Sequence, residues 1–322
     1  MSVSLKFKGK IQSFIKKEFK KKHILTKNNK VLNFYYKYNN RLNFILDQEN
    51  NEIKSLIGFI PSRKFKSKKK FIWIALWVGS KNTPLSALNC LNKLQKKFKE
   101  HNLLCLGLTE RVKKILNALN FKTGKLNHYY FVNNNFKKFK IIKNPKLNYL
   151  NKKKINLHVS KINIANTHLL KRVKFYNDKN VFYFEDKYLK NPFYKYELFY
   201  LSNKNFNSVI VIRIITIKNR NIARIVDFCG DEKIFQKMHL FCLDFLKENN
   251  CEYIDFLNIG INKKYLNMSN FKILKKPTII PNFFEPLVLK NHNINYAYKK
   301  NNSTLKTIFF KGDGDQERPN II

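Results

Sequence analysis

The sequence predicts an α/β protein made of two copies of one strand–turn–helix–strand–helix unit. Three observations lead there. An apolar run, FIWIALWV (71–78), ends at Gly79 and gives way to an amphipathic helical run from Pro84, an apolar run LLCLGL (103–108) and a helical run RVKKILNALNFK (111–122). The same order recurs as ARIVDFCGDE (223–232), KIFQKMHLFCLDFLKENN (233–250), CEYIDFLN (251–258) and INKKYLNMSNFK (261–272). Both copies close on nearly the same word, LNALNFK and LNMSNFK, and the distances from Gly79 to Phe121 and from Gly230 to Phe271 are 42 and 41 positions. Self-similarity at matched offsets marks a repeated structural unit. A chain rich in Leu, Asn, Phe and Lys also makes such matches by chance; the shared element order favours the repeat.

With 322 residues, the chain has room for two domains that each bury a core. Its net charge is +43, and lysine supplies 56 of the 64 basic residues. A lysine-rich, Asn- and Ile-rich composition of this kind is what an AT-rich coding sequence produces, so the charge reads first as a solvated surface. The alternative is affinity for a polyanion such as nucleic acid, a membrane surface or a phosphorylated ligand. No Arg-rich helix, zinc knuckle or aromatic RNA-binding motif supports that alternative. The five cysteines (90, 105, 229, 242 and 251) form no CxxC pair, lie in apolar runs and read as buried thiols. No apolar segment of signal-peptide or membrane-span length is present, which predicts a cytoplasmic protein with at most weak membrane-surface contact.

The elements follow in order. Residues 1–30 alternate basic and apolar, with Phe14, Ile15 and Phe19 near helical spacing, and predict a short basic amphipathic helix. The first domain spans 31–135. VLNFYYKY (31–38), RLNFILDQ (41–48) and EIKSLIGFIP (52–61) read as strands, and 62–70 as a basic hairpin loop. The run 71–78 is too continuously apolar for an edge strand, so it is central. Thr83-Pro84 starts a helix, with Thr as N-cap and Pro at the first position. Leu85, Leu88, Leu91, Leu94 and Phe98 form its apolar stripe. His128–Val132 is the strand that closes the domain. Residues 136–160 are a polar linker, 161–310 the second domain and 311–322 a Gly-Asp tail, either a lid or a solvated terminus.

The chemistry gathers at the two strand–helix turns. Free N–H groups and the helix dipole make such a turn an anion site. Val78, Gly79, Ser80, Lys81, Asn82 and Thr83 supply one flexible residue, two hydroxyls, an amide and a lysine, which suits a pyrophosphate. The alternative is an ordinary strand–helix turn. In the second copy, Asp231 and Glu232 satisfy the dipole themselves and repel phosphate.

This unit resembles the acyl-CoA N-acyltransferase fold of the Gcn5-related acetyltransferases. The likeness covers about 55–135 and 195–300; Asn120-Phe121 and Asn270-Phe271 stand where that family often has Gly-Phe. It implies two such domains, each a mixed twisted sheet flanked by helices, with acetyl-CoA or another acyl-CoA as donor at 78–83. That family's turn carries more glycines than Gly79 and Gly230 provide here. The family often places a tyrosine in its last helix to protonate the leaving thiolate; Tyr265 stands one position out of register. The tail and PNFFEP (281–286) look similar to tandem proteins of bacterial surface-glycan clusters. That similarity implies a sugar or nucleotide-sugar acceptor.

Acyl transfer from a thioester needs a base for the incoming nucleophile and an acid for the thiolate. Candidates are Asp227, Glu232, Asp255, Glu285, Asp313 and Asp315, with Asp227, Asp255, Tyr265, Glu285 and Asp315 the catalytic set. Asp227 and Asp255 lie in neighbouring strands, where alternation lets them face a cleft while their neighbours face the core; the alternative is a structural pair with Arg213 or Arg224. Asp313-Gly-Asp315 also mimics part of a calcium loop, without its closing glutamate, and no metal site is expected. His128, His168 and His239 show no triad spacing. The expected function is acyl-CoA-dependent acyl transfer to an amino- or hydroxy-sugar. The alternatives are aminoacyl-tRNA-dependent transfer on the same tandem fold and a degenerate, non-catalytic binding module.

Overall fold

The computed structural model describes residues 2–148, 157–177, 179–301 and 306–320. Its principal elements, in chain order, begin with α1 (Lys8–Glu18), α2 (Asn29–Tyr36), β1 (Phe44–Glu49), β2 (Glu52–Pro61), β3 (Phe71–Gly79), α3 (Pro84–Lys97), β4 (Asn102–Leu108), α4 (Glu110–Ala118) and β5 (Lys122–Lys125). There follow β6 (Asn127–Val132), β7 (His158–Ile162), β8 (Glu197–Ser202), β9 (Asn207–Ile217), β10 (Arg220–Gly230), α5 (His239–Glu248), β11 (Cys251–Ile259), α6 (Lys263–Met268) and β12 (Lys272–Ile273). The chain ends with a small hairpin, β13 (Phe283–Phe284) and β14 (Leu287–Val288), then β15 (Asn295–Lys299) and β16 (Phe309–Phe310). They form two compact units: Met1–Gly124 with Ile294–Thr304 and Gly314–Ile322, and Lys125–Asn293 with Leu305–Asp313. Part of the expected 136–160 linker, residues 149–156, lies outside the described residues.

In the first unit the sheet order is β1-β2-β3-β4-β15-β5. The apolar run 71–78 is central, as its lack of alternation requires. β3 and β4 run parallel, joined by α3, and pair only from Phe71 opposite Asn102 to Ile74 opposite Cys105. Beyond that point β3 continues to Gly79 and β4 to Leu108, and the two part. Ile57, Ile72, Leu91, Leu94, Leu103 and Leu116 pack one core between the sheet and its helices.

The second unit repeats this plan with sheet order β7-β8-β9-β10-β11-β6-β12. Its parallel pair, β10 and β11, holds from Asn221 opposite Cys251 to Ile225 opposite Phe256 and then parts. The core is aromatic: Phe228, Phe235, Phe245, Phe256 and Phe310 are all buried in one cluster. The position beside the second parallel strand is filled crosswise. β6 follows the first copy in sequence but pairs with β11 of the second unit, Tyr130 opposite Asp255. β15 follows the second copy but pairs with β4 of the first. His128–Val132 therefore does not close the first sheet. Alternation of apolar and polar residues specifies which face of a strand is buried, and does not name its neighbour.

Two local expectations are also corrected. VLNFYYKY is helical over most of its length. Asn28 caps α2 by accepting the Val31 N–H at 3.1 Å, and Val31, Leu32, Tyr35 and Tyr36 are buried on one face. That spacing is helical, and it outweighs the strand propensity of the aromatics. In α3, Leu85 is 72 % exposed while Cys90, Leu91 and Leu94 are buried, so the core stripe begins a turn later than expected. Thr83 stands at the N-cap, but its side chain does not cap a backbone N–H. The basic N-terminal helix turns Ile11, Phe14 and Ile15 into the core, leaving Phe19 exposed.

The tail is neither a lid nor a solvated terminus over most of its length. In the second unit the N–H of Lys311 donates to Leu257 O at 3.2 Å and that of Gly312 to Val226 O at 2.7 Å, so the segment lies between β10 and β11 where they part. β16 pairs with β11, Phe310 opposite Asn258. In the first unit the Gln316 amide donates to Leu106 O at 3.1 Å. Gly107 has φ +76°, and a Cβ there would come within 2.2 Å of the Gln316 side chain, so only glycine admits that contact.

Ile308, Phe309 and Phe310 are each 0 % exposed. Burying such a side chain contributes about 1.5–3 kcal/mol, so the three together reach the scale of a whole domain's stability, about 5–15 kcal/mol. A chain truncated after Lys306 is expected to lose cooperative thermal unfolding, followed by circular dichroism. Melting within a few degrees of the full chain would contradict this account of the tail.

Candidate functional site

The Gly79 turn has the expected shape. Gly79 approaches α3 so closely that a Cβ would meet the Ala87 Cβ at 2.9 Å. Its N–H groups, however, are engaged by the chain itself. Ser80 donates to Lys54 O at 2.8 Å and Thr83 to Ser80 O at 3.3 Å. Asn82 donates to Ser80 Oγ at 3.3 Å. Lys81 donates to the Glu18 carboxylate of α1 at 3.1 Å, so an internal anion already sits at this turn. Val78 is buried in the strand, and the side chains of Lys81 and Asn82 are exposed. An anionic ligand would meet side chains here, or would displace Glu18. In the second copy, Asp231 caps the following turn by accepting the Lys233 N–H at 2.8 Å. Glu232 accepts the Asn262 N–H at 2.8 Å and pairs with Lys306 at 2.9 Å.

Asp227 and Asp255 are both 0 % exposed and belong to separate clusters. Asp227 Oδ1 accepts from Lys179 Nζ, and its Oδ2 accepts from Tyr188 Oη at 2.6 Å. Lys179 Nζ also lies 2.8 Å from Asp313 Oδ1. Burial acts to lower the Lys179 pKa, but the two carboxylates outweigh it and hold the ammonium above its ordinary value. Burial pushes the Asp313 carboxyl up to about 6, against the pull of Lys179.

Asp255 holds a bidentate pair with Arg224, Nε at 2.8 Å and Nη2 at 2.6 Å, and meets His128 Nε2 at 2.8 Å. Burial would raise the Asp255 pKa, yet Arg224 and His128 bring it below its ordinary value. Burial lowers His128, with Asp255 opposing. Arg224 also donates to Pro281 O at 3.1 Å and Asn282 O at 3.2 Å, and its guanidinium lies 5.0 Å from the Phe284 ring. The core carboxylate thereby anchors the hairpin β13–β14. Pairing with Arg224 was the structural alternative for Asp255 in the sequence.

Glu285, at the tip of that hairpin, is different. Its side chain is 20 % exposed. Its Oε1 accepts from Arg213 Nη2 at 3.1 Å and its Oε2 from Tyr194 Oη at 2.5 Å. The Arg213 guanidinium stacks 3.3 Å from the Tyr194 ring centre; Phe283, two residues before Glu285 in the chain, is 39 % exposed. A carboxylate held by two donors and open to water can bind a hydroxyl or ammonium and take a proton from it. Tyr265, on α6, is half-buried and packs against the aromatic core. Asp315, in the first unit, is 1 % exposed; it accepts from Tyr36 Oη at 2.8 Å and pairs with Arg318. Asp313 and Asp315 thus spend their carboxylates on Lys179 and Arg318. Among the described residues no group of His, Cys, Asp and Glu could hold a metal ion, and no helix is long and apolar enough to cross a membrane.

Lys179, Tyr188 and Tyr194 were not singled out from the sequence. One lysine among 56 carries no local signal. The run 181–196 is conspicuously aromatic, and that was the one available clue. His128 lacks triad spacing because its partner Asp255 lies 127 positions away, on the neighbouring strand.

No protein-family profile matches the sequence, and no curated protein matches it. Solved structures do. The chain is similar to a GCN5-related N-acetyltransferase from Anabaena variabilis: TM-score 0.58, 9 % identity, covering 94 % of this chain and 72 % of that one. A GCN5-related glucosamine N-acetyltransferase region of a fungal multi-domain GH3 β-N-acetylglucosaminidase aligns at TM-score 0.48 and 7 % identity, over 91 % of this chain and 37 % of that one. The L-PGS of Bacillus licheniformis aligns at TM-score 0.29 and 12 % identity, over 92 % of each chain. At such identities the first likeness is one of fold. The chain has the GCN5-related N-acetyltransferase fold, with two such domains, each a mixed sheet flanked by helices.

Two measurements test the electrostatics. Arg224→Leu leaves the Asp255 carboxylate buried without its main partner, which is expected to cost about 3–5 kcal/mol in chemical denaturation. The double variant with Asp255→Asn should recover part of that loss; no recovery would contradict the pairing. His23 donates no charge when folded: burial first, then Arg318 and Lys20, pull its pKa down to about 3. Unfolded, it titrates near 6.5, at about the ordinary histidine value. The unfolded chain therefore binds more protons between these values, and His23 makes stability rise with pH across that window. His23→Gln should flatten the dependence between about pH 4 and 6.5; an unchanged slope would refute the assignment.

Proposed function

We propose that this chain is an acyl-CoA-dependent acyltransferase that modifies an amino- or hydroxy-sugar in the synthesis of a surface glycan. The observation that carries this reading is the Glu285–Tyr194–Arg213 cluster on a GCN5-related N-acetyltransferase fold. A sugar ring offers a C–H face to an aromatic side chain and hydroxyl or amino groups to a carboxylate. Glu285 supplies the carboxylate, and Phe283, two residues before it, is an exposed aromatic side chain.

In this proposal Glu285 orients the acceptor and takes its proton as the nucleophile attacks the thioester carbonyl. Tyr194 and Arg213 hold the carboxylate in place, so little reorganisation accompanies the step. Within the second unit Tyr265 is the candidate acid for the thiolate; the first unit, taken by itself, offers the side chains of Ser80, Lys81, Asn82 and Thr83 as a candidate anion site.

A second reading is favoured by one observation. In both units the chain's own tail lies where the parallel strands part, and Glu18 sits at the Gly79 turn. A fold filled in this way suits a non-catalytic binding module.

Thermal stability with a panel of acyl-CoAs, at moderate salt, separates the two. A donor at one hundred times its dissociation constant adds about 2.7 kcal/mol. The transferase reading expects a melting shift with one acyl-CoA and none with pyrophosphate alone. It also expects Glu285→Gln to keep that shift while losing acyl transfer to a panel of amino sugars, read by mass. No shift with any donor would favour the binding module; a salt-sensitive response to aminoacyl-tRNA instead would move the donor to tRNA.

A further inference from the structure

The interior of the second unit holds an amine between two carboxyl groups with no access to water. The side chains of Lys179, Asp227 and Asp313 are all 0 % exposed. Lys179 Nζ donates to Asp227 Oδ1 and lies 2.8 Å from Asp313 Oδ1. The Phe310 ring is 4.5 Å from the ammonium and the Tyr183 ring 5.5 Å. The outer carboxyl oxygens are also engaged. Tyr188 Oη donates to Asp227 Oδ2 at 2.6 Å, and the Phe310 N–H donates to Asp313 Oδ2 at 2.8 Å.

On a protein surface an ammonium and a carboxylate stay as ions, because water stabilises the charges and competes with the amine. Here neither condition holds. No water competes with the amine here; the two carboxylates hold Lys179 as an ammonium, so the amine is freed only by handing its proton to one of them. Fixed contact between reacting groups is worth effective concentrations of about 10⁵–10⁸ M. Burial keeps Asp313 in its acid form further up the pH scale than an ordinary aspartate, to about 6. The backbone fixes Asp313 against the amine: the Gly312 N–H donates to Val226 O at 2.7 Å and the Asp313 N–H to Phe310 O at 3.0 Å.

We infer that Lys179 and Asp313 join in an intrachain amide, with Asp227 as the proton acceptor. The Lys179 ammonium passes a proton to the Asp227 carboxylate. The freed amine attacks Cγ of the Asp313 carboxylic acid, with the Phe310 N–H on the oxygen where negative charge develops. The C–O bond to the hydroxyl breaks, and a second proton from nitrogen leaves with that hydroxyl as water. The products are an amide, one water and a protonated Asp227; charge and protons balance with no added reagent. The bond ties the tail that fills the parted strands to the segment bearing Lys179. It rests on no reading of the chain's activity.

The test is the mass of the purified full chain in denaturing solvent. The expected result is a deficit of one water against the sequence, and a branched proteolytic peptide joining Lys179 to Asp313. Asp313-Gly314 can also lose water as a succinimide, but that product is a linear peptide and opens in mild alkali. Lys179→Arg keeps the cation and should restore the full mass; Asp227→Asn should slow the loss. Full mass in the wild-type chain after a day at pH 6 and at pH 8 overturns the inference. So does a deficit that maps only to a linear peptide.

Discussion

In each unit two parallel strands, joined by a helix, pair over a few residues and then part. That parting is the constraint on which the structure depends. A strand edge turned inward carries N–H and C=O groups that need partners, and each one left buried without a partner costs about 1–3 kcal/mol. The C-terminal segment provides them. Lys311 and Gly312 donate to Leu257 and Val226 in the second unit, and the Gln316 amide donates to Leu106 in the first. Gly107 and the buried triplet Ile308-Phe309-Phe310 follow from that arrangement: one admits a close side chain, the other seals the opened core.

The second constraint is the scarcity of acid. The chain has 21 acidic residues against 64 basic ones, and among the described residues five of them, Asp227, Glu252, Asp255, Asp313 and Asp315, are at 1 % exposure or less. Each meets cations or backbone donors. Glu252, for instance, accepts the N–H groups of Lys140 and Ile141 at 2.6 and 2.9 Å. Buried carboxylates of this kind specify which segments meet, because removing a partner leaves a charge without compensation. Glu285 stands apart: held by Tyr194 and Arg213, it still reaches water. It is anchored indirectly by the same interior chemistry, since Arg224 binds both Asp255 and the carbonyls of Pro281 and Asn282.

Much of the fold was legible in the residues. The apolar run at 71–78 lacked alternation and is a central strand. Gly79 and Gly230 mark the strand ends, and the two copies share the element order that their words suggested. The site was less legible. Asp227 and Asp255 were correctly placed on neighbouring strands, but alternation could not tell a cleft from a sealed interior. Lys179 disappeared among lysines, and Glu285 stood out only because PNFFEP departs from the background composition.

What the sequence by itself determined is local: the element order, the repeat, the central strands and the turns that end them. Those follow from hydrophobic period and turn chemistry over some ten residues. Only the tertiary structure decided that β6 and β15 enter each other's expected sheets, that the tail fills both partings, and which carboxylates face water. The physical reason is the same in each case. A strand's pattern specifies a buried face, while its neighbour is chosen by contacts across more than a hundred residues, such as His128 with Asp255 and Lys179 with Asp313.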